Sequence, residues 1–356
     1  MNVRKFGGPI VVAIVGLLGV TLGVNSASLD SGVAPGAAAS GYHLKKKIKV
    51  GGEGGWDYIT IDSATRRLFI SRGTRVMVVD VDSDKVVGEI ADTPGVHGIA
   101  LAQEFNRGFV SNGRTNNVTI FDLKTLATIG HAAAGQNPDA IIYDPGSKRV
   151  LAMNGRSGDI TAINAATGEV TGTVAIGGKL EFAAADGKGR VYVNVEDKAE
   201  MAVIDATKLT VVSRWPMAPC EEPSGLAMDT ENRRLFAGCG NKLMAVIDAD
   251  SGKVIATPAI GDGVDANGFD PGTGFAFASC GEGMLTVVHE DTADKFSVIE
   301  NVPTQRSART MALDPKTHEV YLVAADFGPR PEPTKDNPRP RPPMLPDSFT
   351  VLVFTR

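Results

Sequence analysis

The sequence predicts an all-β protein, a seven-bladed β-propeller of four-stranded blades whose ring is closed by the N-terminal strand. Short β-branched runs alternate with polar turns, as in WDYITID, RLFIS, RVMVVD and KVVGEI between positions 56 and 90. Such runs have the length and composition of strands. The same four-strand pattern recurs to the end of the chain, and no copy contains an amphipathic helical stretch, which excludes the helical solenoids of similar repeat length.

Two independent sequence markers keep one repeat period. The residue that ends the first strand of each copy recurs at spacings of 40, 42, 42, 43, 41 and 44, at Asp62, Ala102, Asp144, Asp186, Asp229, Asp270 and Asp314. The residue that ends the third strand recurs at spacings of 42, 42, 41, 43 and 41, at Asp80, Asp122, Asn164, Asp205, Asp248 and His289. Repeats of ~40–45 residues with four strands are typical of propeller blades. We interpret the recurring Asp and Asn residues as turn-formers that accept hydrogen bonds from nearby backbone amides.

The two ends of the chain predict how the ring closes. The last copy supplies three strands only, ending in SFTVLVFTR, while an orphan strand, HLKKKIKVGG, precedes the first copy. Since this orphan resembles the fourth strands of other copies, we expect it to complete the seventh blade and to leave no open sheet edge. Positions 328–347 form an insertion with eight prolines, which should be extended and unpaired. It is either a solvated loop or a lid or docking arm.

The N-terminus has the pattern of an export signal. Arg4 and Lys5 precede an apolar run from Pro9 to Val24, which is followed by small residues. The run is short of the ~20 residues that span a bilayer. We predict a signal peptide and Ala/Gly-rich linker over 1–41, a propeller over 42–356, and a periplasmic or secreted monomer. An uncleaved N-terminal anchor is the alternative, and it is the only membrane contact expected.

The repeats resemble a known family. LFISRGTRVMVVDVDSDKVVGEI and VYVNVEDKAEMAVIDATKLTVVSRW are similar to the YVTN-type repeat, in which a strand ending V-x-N is followed by a polar turn and a V-x-V-I-D strand. The resemblance covers residues 43–356 and is closest to the exported bacterial YncE-like propellers. Related seven-bladed propellers include lactonases, a streptogramin lyase and binding modules. The resemblance therefore implies a fold and no single chemistry.

One position in each copy predicts a functional site at a mouth of the central channel. In a propeller the first strand of each blade lines the channel, so we examined the residue five before each first-strand marker: Asp57, His97, Asp139, Glu181, Ser224, Asp265 and Arg309. The position three before the marker is almost wholly apolar, so we expect the two sets to lie on different faces. Because buried charges are costly unless paired, the polar set cannot be ordinary packing. Glu222, in the loop before Ser224, is expected to join this ring.

Three interpretations of the ring stay open. Arg309 pairs with one or two carboxylates and no ligand binds; or Asp57, His97, Asp139 and Glu181 hold a divalent metal; or the ring takes a polar organic ligand, with His97 or Glu181 as general base. Carboxylates favour Ca²⁺, whereas one imidazole allows a transition metal.

The sequence favours a binding function over catalysis. The expected ligand is a small polar molecule, a metal ion or a protein partner at this face. The alternative is a metal-assisted lactone hydrolase or lyase-like enzyme, although the chain has no G-x-S-x-G, P-loop or HExxH motif. A net charge of -5 gives no general attraction to nucleic acid.

Three cysteines, Cys220, Cys239 and Cys280, are too few for a disulfide framework in an exported domain. A Cys220–Cys239 bond is the first choice because Cys220 precedes the blade that holds Cys239. A Cys239–Cys280 bond, free thiols and soft metal ligands are the alternatives.

Overall fold

The structure, a computed structural model, describes residues 40–335 and 337–356. These residues form seven four-stranded antiparallel sheets. Helical structure within them is limited to two short 3₁₀ turns, Gln103–Phe105 and Glu196–Lys198. No helix in this part of the chain is long and apolar enough to cross a membrane. The predicted signal segment lies, up to residue 39, outside the described residues.

Four consecutive strands form each of the first six sheets, in sequence order from one edge to the other. Blade one contains β2 (Ile59–Asp62), β3 (Arg67–Ser71), β4 (Val76–Asp80) and β5 (Lys85–Ile90). Blade two contains β6 (Val96–Ala102), β7 (Arg107–Asn112), β8 (Asn117–Asp122) and β9 (Thr128–Ala133). Blade three contains β10 (Pro138–Asp144), β11 (Arg149–Asn154), β12 (Asp159–Asn164) and β13 (Val170–Ala175).

The remaining blades continue this order and the N-terminal strand completes the last. Blade four contains β14 (Leu180–Ala185), β15 (Arg190–Val195), β16 (Glu200–Asp205) and β17 (Thr210–Pro216). Blade five contains β18 (Pro223–Asp229), β19 (Arg234–Cys239), β20 (Leu243–Asp248) and β21 (Val254–Ala256). Blade six contains β22 (Val264–Asp270), β23 (Phe275–Cys280), β24 (Met284–Thr292) and β25 (Lys295–Pro303). Blade seven contains β26 (Met311–Asp314), β27 (Glu319–Ala324), β28 (Thr350–Thr355) and β1 (His43–Lys49).

The first strands of the blades line a central channel. Each lies against the first strand of the next blade, from β2 through β6, β10, β14, β18, β22 and β26 and back to β2. The ring is therefore closed, and β1 pairs antiparallel with β28, from His43 opposite Thr355 to Lys49 opposite Thr350. The predicted seven-bladed propeller with closure by the N-terminal strand is confirmed.

The recurring strand-end carboxylates shape turns, as predicted. Asp62 Oδ1 accepts a hydrogen bond from the amide of Ala64 at 2.9 Å, and Asp122 Oδ1 accepts from the amides of Lys124 and Thr125 at 3.0 and 2.8 Å. Apolar side chains fill the spaces between blades, for example Leu151 and Val193 between blades three and four. The repeat pattern thus consists of turn signals and inter-blade packing, and it leaves the channel-facing positions free to vary.

The proline-rich segment, positions 328–347, forms an arm with a paired base. The sequence predicts a segment without sheet pairing, but Phe327 forms an antiparallel bridge with Met344. The Gly328 amide donates to the Pro343 carbonyl and the Leu345 amide donates to the Asp326 carbonyl, both at 2.8 Å. Proline lacks an N–H group, yet its carbonyl still accepts, which allows pairing at the base. We call positions 328–347 the arm.

Cys220 and Cys239 form a disulfide across a separation of 19 residues, and Cys280 is a buried free thiol. The bond joins the loop before β18 to the end of β19. It therefore fixes a loop next to Glu222, one of the predicted ring residues.

We expect replacement of both bonded cysteines, Cys220→Ser with Cys239→Ser, to lower the free energy of unfolding by about 3 kcal/mol, because a loop of this length no longer constrains the unfolded chain. Urea unfolding under non-reducing conditions measures the change. Wild-type protein unfolded in excess reductant should match the double variant. Equal stability of the oxidised wild type and the variant contradicts the expectation.

Candidate functional site

All of the predicted ring residues line one cavity at a mouth of the channel. The cavity has a volume of about 870 Å³, within the usual range of small-molecule sites. Its lining includes the ring positions and the neighbouring loop residue: Asp57, His97, Asp139, Glu181, Ser224, Asp265, Arg309 and Glu222. The ring position coincides with a β-bulge in the first strands of blades two to six, and a bulge turns a side chain away from the face that simple alternation gives it. We call this space the ring cavity.

Tyr58, which lies between the ring cavity and a second cavity, forms the floor of the ring cavity. Tyr58 and Phe182 pack across the channel with ring centroids 4.5 Å apart. Tyr58 lines the ring cavity and also a second cavity of about 450 Å³ that is lined mostly by apolar first-strand residues. Burial and the nearby carboxylates, Asp139 foremost, raise the pKa of the Tyr58 hydroxyl well above its ordinary value, so this hydroxyl stays protonated. The floor is therefore uncharged, and the charges lie above it.

His97 lies between two carboxylates contributed by the neighbouring blades. Its Nδ1 is 2.6 Å from Asp57 Oδ2 and 3.6 Å from Asp139 Oδ1. One ligand atom from each of these three residues lies within 4.8 Å of the others. Two carboxylates and one imidazole form a donor set that suits a divalent ion. It is the only group of three or more Asp, Glu, His or Cys side chains with metal-ligand spacing among the described residues.

Arg309 binds the carboxylates on the opposite side of Asp57. Its Nη1 donates to Asp265 Oδ1 at 2.6 Å, and its Nη2 is 3.5 Å from Asp57 Oδ1. Asp57 therefore lies between a guanidinium and an imidazole. Arg309 therefore pairs with two carboxylates, as in the first of the three interpretations of the ring. Asp139 and Glu181 have no arginine partner among the described residues.

Glu181 is not part of the group with metal-ligand spacing and is paired with a lysine. Lys179 Nζ is 2.9 Å from Glu181 Oε1 and also forms an ion pair with Glu196. Of the four metal ligands predicted from the sequence, the structure thus groups Asp57, His97 and Asp139, and gives Glu181 a lysine partner. Glu222 and Ser224 line the cavity beside Asp265.

Crowding of carboxylates perturbs the protonation of the ring. Burial, opposed by His97, raises the pKa of Asp139 to about 6. Burial and then the charge of Asp139 raise the pKa of Glu181 to about 8, and burial raises that of Asp265 to about 6 against the effect of Arg309. Burial lowers the pKa of His97, but the hydrogen bond with Asp57 and the charge of Asp139 outweigh it and the net shift is upward. The ring cavity therefore favours added positive charge.

The ring cavity also contains charged and polar residues that the repeat pattern did not single out. Lys179 and Asn137 lie two residues before ring positions, and Asp262 and Arg341 enter from loops. The signal for the first two was their place in the sequence, because they lie in the loops directly before β14 and β10. Arg341 belongs to the arm, and nothing in the repeat predicts that the arm reaches the channel mouth.

Comparisons with known proteins support the fold alone. No family model matches the chain, and no curated protein matches it in sequence. Among solved structures it is similar to Kuenenia stuttgartiensis hydrazine synthase, with a TM-score of 0.64 and 18% identity over 80% of this chain and 95% of that chain. The chain thus shares a propeller fold with that protein, at an identity too low to carry an activity.

Proposed function

We propose that this protein is an exported binding propeller whose ring cavity holds a divalent metal at Asp57, His97 and Asp139. The observation that carries the proposal is the grouping of these three ligand atoms within 4.8 Å of one another. They line a cavity of about 870 Å³, which leaves room for a small polar ligand beside the ion. The YVTN-like repeats and the predicted signal segment support a periplasmic or secreted, YncE-like binding protein.

The donor set and the local charge support a transition metal over Ca²⁺. Ca²⁺ takes six to eight oxygen ligands, whereas the imidazole of His97 suits Zn²⁺, and the two carboxylates suit Zn²⁺ or Mn²⁺. The lining of the ring cavity contains seven Asp and Glu residues and four Lys and Arg residues. A bound cation offsets this excess, which adds to burial in raising the carboxylate pKa values. When bound, the ion supplies a Lewis-acidic centre for an anionic or carbonyl ligand.

Metal binding by purified protein tests the proposal. We expect one Zn²⁺ or Mn²⁺ per chain by elemental analysis and calorimetric titration, and loss of binding in the double variant His97→Ala with Asp139→Asn. The matched control is His131→Ala with Asp92→Asn, which replaces an exposed histidine and an exposed aspartate elsewhere and should bind as the wild type does. Absence of stoichiometric metal, or equal binding by both double variants, contradicts the proposal.

A hydrolase or lyase at the same cavity is the second candidate. It is supported by Glu181, whose pKa of about 8 provides a protonated carboxyl near neutral pH, as general acid catalysis requires. Hydrolysis of simple lactones by the metal-loaded protein tests it. The expected result for an enzyme is turnover that falls in Glu181→Gln while metal content is unchanged, and lack of turnover leaves the binding function alone.

A further inference from the structure

A third cavity, distinct from the two described above, lies beside the ring cavity and beneath the arm. It has a volume of about 430 Å³, and the side chains that define its chemistry are Trp56, Phe327, Pro342, Met344, Arg309 and Arg341. Trp56, Arg309 and Arg341 also line the ring cavity, so the two spaces adjoin. Its volume is sufficient for a small organic molecule. We call it the arm chamber.

The charge of the arm chamber is opposite to that of the ring cavity. Two guanidinium groups and no carboxylate line it among the described residues, whereas the ring cavity has an excess of carboxylates. Arg309 is already paired with Asp265 and Asp57. Arg341 is exposed and has no ion-pair partner in the described part of the chain. Arg341 is therefore the group available to a ligand anion.

The rest of the arm chamber offers apolar surface that the fold leaves uncovered. Phe327 is 42% exposed although it is a large aromatic side chain. Its ring centroid lies 6.0 Å from that of Trp56, which in turn packs on the buried Phe349 at 5.2 Å. Hydrogen bonds at the base of the arm fix Phe327 and Met344 opposite each other. Because these surfaces are preformed, a ligand that covers them gains apolar burial at little ordering cost.

We propose that the arm chamber binds a small amphipathic organic acid. Its aromatic or branched alkyl group packs among Trp56, Phe327 and Pro342, and its carboxylate pairs with Arg341. A guanidinium recognises a carboxylate with two parallel hydrogen bonds, whereas an ammonium group in the same place meets two positive charges. The inference goes beyond the proposed metal site and does not require a bound ion.

Three probes that share one apolar group and differ in charge test whether the arm chamber favours an anion. Phenylbutyrate, phenylbutanol and phenylbutylamine are titrated calorimetrically into the full chain in the presence of a chelator, so that the result does not depend on the metal. We expect the carboxylate to bind, the alcohol to bind about 10-fold more weakly, as loss of a charged hydrogen bond implies, and the amine to bind weakest of the three. Equal binding of acid and amine overturns the proposal.

Two variants locate the site. Arg341→Gln should weaken phenylbutyrate about 10-fold and leave phenylbutanol unchanged, whereas Arg339→Gln, an exposed arginine of the same arm that lines neither space, should change neither. Trp215→Phe leaves Trp56 as the sole tryptophan of the chain, and phenylbutyrate should then alter its emission. Binding that survives Arg341→Gln at full strength, or that leaves Trp56 emission unchanged, places the acid elsewhere and overturns the proposal.

Discussion

Deletion of residues 43–49 is expected to abolish cooperative folding of the whole propeller. β1 is the outer strand of blade seven, and six of its residues pair with β28. Ile48, the second-to-last residue of this strand, is 3% exposed and packs in one apolar cluster with Ile59 of blade one and Val351 of blade seven. Removal of β1 thus exposes the edge of β28 and uncovers apolar surface at the junction where the ring closes. The loss is comparable with the entire stability of a domain, about 5–15 kcal/mol.

Circular dichroism during urea unfolding measures this effect. A deletion of equal length in the arm, positions 329–335, is the matched control, and it should keep a cooperative transition because this segment forms no sheet. A synthetic peptide that spans positions 42–50 should restore the transition when added to the protein that lacks residues 43–49. A cooperative transition near the wild-type midpoint without the peptide shows that the ring does not depend on β1.

Most of the fold was predictable because its determinants are local and repeated. Strand-end residues such as Asp62 and Asp122 accept hydrogen bonds from amides two and three residues on, so the turn chemistry recurs with the blade period. Closure of the ring was predictable because the last repeat, which ends at Arg356, supplies only three strands, while one strand that belongs to no other repeat begins at His43. The pairing at the base of the arm was not predictable. A high proline content indicates that N–H donors are missing, but the bridge between Phe327 and Met344 depends on carbonyl acceptors, which proline keeps.

The sequence predicts which residues belong to the ring, but not which of them pair with one another. Asp57, His97 and Asp139 occupy the same position in successive copies and line one cavity. Glu181 is not in their group and is paired instead with Lys179, which lies two residues earlier and binds that carboxylate at 2.9 Å. The choice of carboxylate with which Arg309 forms an ion pair likewise depends on side-chain conformations across the channel. A repeat pattern specifies which positions face the channel, whereas contacts between blades are set by residues that differ from copy to copy.

The metal-free protein is expected to lose stability as the pH rises from about 5 to about 9. The pKa values of Asp139 and Asp265 are raised to about 6 and that of Glu181 to about 8. The folded state then binds more protons than the unfolded state above the ordinary carboxyl pKa, so stability is fully present at low pH and is lost as each group ionises. The raised pKa of His97 acts in the same direction. We expect a loss of roughly 4 kcal/mol, less than the separate shifts suggest because one protonated carboxyl relieves its neighbours.

Urea unfolding across this pH range, in the presence of a chelator, measures the slope. The double variant Asp139→Asn with Glu181→Gln should lose much less stability over this pH range, because it removes two of the three carboxyl groups whose pKa values are raised; Asp265 and His97 account for the slope that remains. The matched control, Glu53→Gln with Asp92→Asn, replaces exposed carboxylates and should keep the wild-type slope. A wild-type stability that rises with pH shows that the ring carboxylates are not crowded. If Zn²⁺ or Mn²⁺ restores stability at high pH in the wild type and not in the double variant, the same excess of negative charge that destabilises the empty ring accounts for its affinity for a cation.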